Sequence, residues 1–85
     1  MHTRKVKGLG ISYYLWGDDP VHALGEIRGN EFQFKATAGK WEITVTEYGK
    51  VWPARSGDAS SSGPMPHSEA ASIVESFIRY YAEID

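Results

Sequence analysis

The feature that most narrows what this chain can become is a change of period. From Gly10 to Pro53 apolar and polar residues alternate, and from Ser68 onward the apolar ones recur every 3.6 residues. Phe32, Phe34 and Ala36 alternate with Glu31, Gln33, Lys35 and Thr37, and Trp41, Ile43 and Val45 alternate with Glu42, Thr44 and Thr46. Runs of this kind, rich in aromatic and β-branched side chains, make half-buried antiparallel strands. Their separators, Gly29-Asn30, Ala38-Gly39 and Tyr48-Gly49, each supply a residue at ease with φ > 0, as two-residue hairpin turns require.

Taking those dipeptides as turns predicts the pairing. The first puts Arg28 opposite Glu31, Ile27 opposite Phe32, Gly25 opposite Phe34 and Ala23 opposite Ala36, with the bare Gly25 backbone under a ring. The second puts Lys35 opposite Glu42, Ala36 opposite Trp41, Phe34 opposite Ile43 and Phe32 opposite Val45. The third matches Glu47 with Lys50 and Val45 with Trp52, and Pro53 ends that strand or sits on its edge. Apolar pairs then share one face and opposite charges meet on the other, an agreement that a one-residue slip would destroy. A first strand near Leu9 to Trp16 joins through Gly17-Asp18-Asp19-Pro20, which sets Trp16 against Val21 and Tyr14 against Ala23. Its register is the weakest, because Ile11, Tyr13 and Leu15 make the other side of that strand apolar as well.

In the tail, Ala70, Ile73, Val74, Phe77, Ile78, Tyr81 and Ile84 form one helical stripe, with Glu69, Ser76, Arg79 and Glu83 facing away. Ser68 is a candidate N-cap and Glu69 suits the first turn. The fold expected is α+β: a five-stranded antiparallel β-meander with one C-terminal amphipathic helix packed on the sheet. The helix is expected to cover Tyr14, Trp16, Ile27, Phe32, Phe34, Trp41, Ile43, Val45 and Trp52. At 85 residues this is one domain. It divides into a basic, frayed N-terminus (1–8), the meander (10–53), a Ser/Gly/Pro-rich flexible loop (54–67) and the helix (68–84).

Composition removes several function classes. With no Cys there is no disulfide, thiolate metal site or Cys nucleophile. Nine bases against eleven acids give a net charge of −2, where a nucleic-acid binder normally shows a basic excess. The bases are uneven: Arg4, Lys5 and Lys7 stand in residues 1–8 without any acid. No apolar run approaches the ~20 residues of a membrane span, and Met1-His2-Thr3-Arg4-Lys5 lacks the apolar stretch of a signal peptide. A cytoplasmic protein with no membrane contact is therefore expected.

Catalytic candidates are thin. His2, His22 and His67 match no metal-ligand spacing, so neither metal nor cofactor is expected. Asp18-Asp19 beside Gly17 and Pro20 is what a turn needs, and Ser60-Ser61-Ser62 lacks the glycine spacing of a nucleophile elbow. No glycine loop leading into a helix offers a phosphate cradle. A non-enzymatic protein is the reading. On the expected register Tyr13, Leu15, His22 and Leu24 form an apolar outward cluster beside a charged field, the look of a surface that binds another protein or a second copy of the chain. His22 in such a patch would make binding pH-dependent. A small Cys-free acidic chain suits an inhibitor or accessory factor encoded by a phage or mobile element, an anti-CRISPR-like inhibitor among them, on size and charge alone. The alternative is a single-stranded nucleic-acid binder, stacking bases on Tyr13, Tyr14, Trp16 and Trp52 and meeting phosphates with Arg4, Lys5 and Lys7.

Overall fold

The computed structural model describes residues 2–6, 11–18, 20–37, 39–58 and 65–83. They form β1 (His2–Val6), β2 (Ile11–Trp16), β3 (Val21–Ile27), β4 (Asn30–Thr37), β5 (Lys40–Glu47), β6 (Lys50–Asp58) and α1 (His67–Glu83). The strands pair antiparallel in chain order as one sheet, and α1 packs on it mainly against β2 and β3. The α+β class and the meander closed by a C-terminal helix are as expected, the five expected strands being β2 to β6.

A sixth strand, β1, takes up residues 2–6 of the expected frayed N-terminus, whose residues 1, 7 and 8 lie outside the described ones. His2–Val6 pairs with Ile11–Leu15. Strand pairing satisfies backbone groups whatever the side chains, and Val6, fully buried, anchors this one in the core. At the other end β6 runs on to Asp58, so residues 54–58 belong to a strand and not to a loop. Of these, 55–58 pair with 40–43, and Ala54 is the extra residue of a bulge beside Pro53, where the ladder shifts by one residue. Residues 59–64 of the expected loop lie outside the described residues. Helix α1 begins at His67, one residue before the expected cap. Pro66 provides the carbonyl that accepts the first helical bond, from the Ala70 amide at 3.1 Å.

Two registers hold and two move. Lys35↔Glu42, Phe34↔Ile43 and Phe32↔Val45 pair as expected, as do Glu47↔Lys50 and Val45↔Trp52. Between β3 and β4 the turn is Arg28-Gly29, both at positive φ. Ile27 therefore meets Asn30, and Gly25 meets Phe32 instead of Phe34. That shift of two preserves the faces. Between β2 and β3 Trp16 meets His22 and Leu15 meets Ala23, a slip of one from the expected pairing, and a slip of one turns every side chain of β2 to the other face.

The core follows from these pairings. Tyr13 and Leu15 of β2 join Val21, Ala23 and Ile27 of β3, Phe32, Phe34 and Ala36 of β4, and Ile43 and Val45 of β5, beneath Ala70, Ala71, Val74, Phe77 and Ile78 of the helix. Phe77 meets Phe32 edge-on at 5.9 Å. Gly25 makes this packing possible: a Cβ there would lie 2.7 Å from the Phe32 ring and 2.9 Å from Tyr13 Cβ. Trp52, expected under the helix, is 53% exposed. Six strands at about 4.8 Å spacing make a sheet roughly 24 Å wide, and a helix about 10–12 Å across cannot cover it.

Candidate functional site

Among the described residues no helix lies on the other face of the sheet, and that face is where the reversed β2 places its even-numbered side chains. Cross-strand pairing arranges it in rows. One row reads Trp16, His22, Lys35, Glu42 and Ser56; the next reads Tyr14, Leu24, Gln33, Thr44 and Pro53; Glu26 and Glu31 stand together in a third. Trp16 and His22 stack at 5.3 Å with an 18° tilt between their rings. Tyr14 is 46% exposed, while Trp16, His22 and Leu24 are half-buried.

Of the depressions that open here, two lie on either side of Leu24. The larger, about 490 Å³, is walled by Trp16, His22, Leu24, Gln33, Lys35, Glu42 and Thr44. The smaller, about 280 Å³, lies among Ser12, Tyr14, Leu24, Glu26 and Glu31 over the bare backbone of Gly25. Gln33 Nε2 donates to Glu31 Oε1 at 3.2 Å, fixing one polar wall. An indole, an imidazole, an aliphatic ridge, an amide and a Lys/Glu pair make a surface for recognition: apolar area for affinity, polar groups for orientation.

The expected site residues therefore separate. His22 and Leu24 are on this face as expected. Tyr13 and Leu15 are not; both are fully buried, so no surface joins all four. Tyr13 donates its hydroxyl hydrogen to Glu75 Oε2 of α1 at 2.7 Å. Burial first, then that bond and the charge of Glu75, hold its ionisation far above the ordinary phenol range, with Arg4 opposing. Tyr14 and Trp16, expected under the helix, stand on this face in their place. Gly25 carried the signal: a lone glycine within a central strand is filled by the rings opposite it, which favours Tyr13 over Ser12 as its β2 neighbour.

The four aromatics that would stack single-stranded bases do not form one platform. Tyr13 is in the core, Tyr14 and Trp16 are on the open face, and Trp52 is on the helix side of β6. Among the described residues no three His, Asp or Glu side chains gather to hold a metal. His67 sits at the start of α1, where its Nε2 bonds the Gly17 carbonyl and ties the β2–β3 connection to the helix. No described helix is long and apolar enough to cross a membrane. Comparison with protein-family models, with curated proteins and with solved structures finds no match to this chain.

Proposed function

We propose that this chain is a small non-enzymatic binding module that acts by occupying another protein through the open face of its sheet, in the manner of an inhibitor or accessory factor. An anti-CRISPR-like inhibitor carried by a phage or mobile element is one form of such a module that its size and acidity fit. The observation that carries the reading is the cluster of Tyr14, Trp16, His22 and Leu24 around two depressions on a face that no other described element covers. Contiguous apolar surface is seldom left bare on a monomer, and aromatic anchors beside pockets supply most interface energy.

Charge narrows the partner. The described charged side chains directed to this side are Glu26, Glu31, Glu42 and Asp58 against Lys35 and Lys40. An acid-leaning field repels phosphate and favours a protein surface that leans basic. Arginine suits it best, because a guanidinium both stacks on Tyr14 or Trp16 and pairs with carboxylates. The test is site-specific photocrosslinking in cells that make the protein, with a benzoylphenylalanine at Tyr14 and a control at Ser72 on the outward side of α1. The expected result is one protein adduct from position 14, absent from position 72 and lost when Leu24→Ser is added. Equal adducts from both positions, or an adduct to nucleic acid from position 14, would overturn the reading.

A further inference from the structure

Four of the five large apolar side chains that the described residues expose, Tyr48, Val51, Trp52 and Tyr80, belong to the β5–β6 hairpin and to the helix flank beside it. Tyr48 is fully exposed at the turn, and Arg55 of β6 lies over the Tyr80 ring at 5.0 Å, which places that ring alongside the strand. Strand β6 is last in the sheet and is exposed along nearly its whole length. We propose that two copies of this chain associate through the first half of β6, around a two-fold axis at Val51. The inference is independent of the open-face reading, because it uses the sheet's edge.

The backbone sets the register. A two-residue turn closes on a hydrogen-bonded pair, here Glu47 and Lys50, and such pairs alternate with non-bonded ones. Trp52 thus bonds back to Val45, while Val51, opposite Thr46, turns its N–H and C=O to the free edge. Further along, Pro53 has no N–H and a bulge follows, two devices that blunt an edge. The stretch Lys50 to Trp52 carries neither. Centring the axis on Pro53 would set two residues without N–H groups against each other. Centring it on Val51 forms two N–H···O bonds, sets Val51 against its own copy, and places each Trp52 across from Lys50 of the second copy, with the ammonium over the indole.

The area is of the right size. Tyr48 is wholly exposed and Trp52 and Tyr80 are each about half exposed, roughly two aromatic side chains in all, or about 300–500 Å². A standard interface takes about 800 Å² from each partner, somewhat over half of it apolar.

The experiment is sedimentation of the full chain from about 1 µM to about 1 mM, a range that brackets micromolar association, with hydrogen exchange followed at the Val51 amide. The expected result is a monomer of 9.5 kDa giving way to a dimer as concentration rises, with Val51 protection rising in step. Val51→Lys, which sets two like charges on the axis, should lower the association constant at least tenfold, and Leu24→Ser should leave it unchanged. A wild-type monomer throughout, a dimer unaffected by Val51→Lys, or a dimer abolished by Leu24→Ser would each overturn the proposal. If Val51→Lys does not fold, the wild-type exchange series decides alone: concentration-independent exchange at Val51 overturns it.

Discussion

Tyr13 shows how one side chain can serve the core and still set a limit on it. Its ring is buried, its hydroxyl is held by Glu75, and its ionisation is raised above the ordinary 10.0. A raised value means the folded state resists losing a proton that the unfolded chain gives up. The contribution is therefore complete below about pH 10 and is lost as pH climbs above it toward the folded value. Alkaline unfolding followed by circular dichroism should begin above pH 10, and Tyr13→Phe should flatten that arm while costing about 1–3 kcal/mol at neutral pH. Gly25→Ala should cost about 1–3 kcal/mol in urea denaturation, because its Cβ would meet the Phe32 ring on one neighbouring strand and Tyr13 Cβ on the other. Tyr48 sits at φ 52 in the left-handed region, where Asn is far better tolerated. Tyr48→Asn should raise stability by about 0.5–1 kcal/mol, and an unchanged or lower melting temperature would count against the strain. At this scale the need for a glycine beneath a ring was legible at Gly25; which ring it served was not.

Elements differ in how plainly the chain announces them. The β4–β5 pairing is readable because both strands alternate cleanly about Ala38-Gly39, so only one parity buries Phe34 with Ile43. The β3–β4 turn falls one residue earlier than Gly29-Asn30, since Gly29 takes the second central position and Arg28 accepts the first at φ 54. The error costs nothing in facing, because it moves the pairing by two. The β2–β3 error costs the site. Ile11 to Trp16 is apolar on both sides, so alternation carries no preference, and the connection closes with five residues between Trp16 and His22 instead of four between Trp16 and Val21. Strand β1 is held by backbone pairing and by Val6, and β6 by backbone pairing with no buried side chain, a bond pattern that hydropathy does not record. The helix was legible almost to the residue, since its stripe is its packing. Phe77, against Phe32 and Tyr81, should cost about 3–5 kcal/mol on truncation to Ala. That is a large part of the ~5–15 kcal/mol of a whole domain. A Phe77→Ala variant melting within a few degrees of the parent would place that contact at the margin.

The whole molecule is a sheet with more surface than one helix can cover. The helix takes the β2–β4 part of one face, and among the described residues no element lies over the β6 flank or the opposite face. What remains is divided by chemistry. The edge carries Tyr48, Val51 and Trp52, and the open face carries Tyr14, Trp16, His22 and Leu24 within an acid-leaning field. Leu24 stands between two neighbouring depressions of that face and touches both, so its loss should empty the site without disturbing the core. The most direct measurement is the affinity of Leu24→Ser for the protein crosslinked at Tyr14, set beside its own unfolding midpoint. Losing an anchor of this kind commonly costs 2 kcal/mol or more, roughly thirtyfold in affinity. Binding weakened by that factor or more with an unchanged midpoint is the predicted result. Affinity within twofold of the parent, or a midpoint that collapses as for a core residue, would contradict the account.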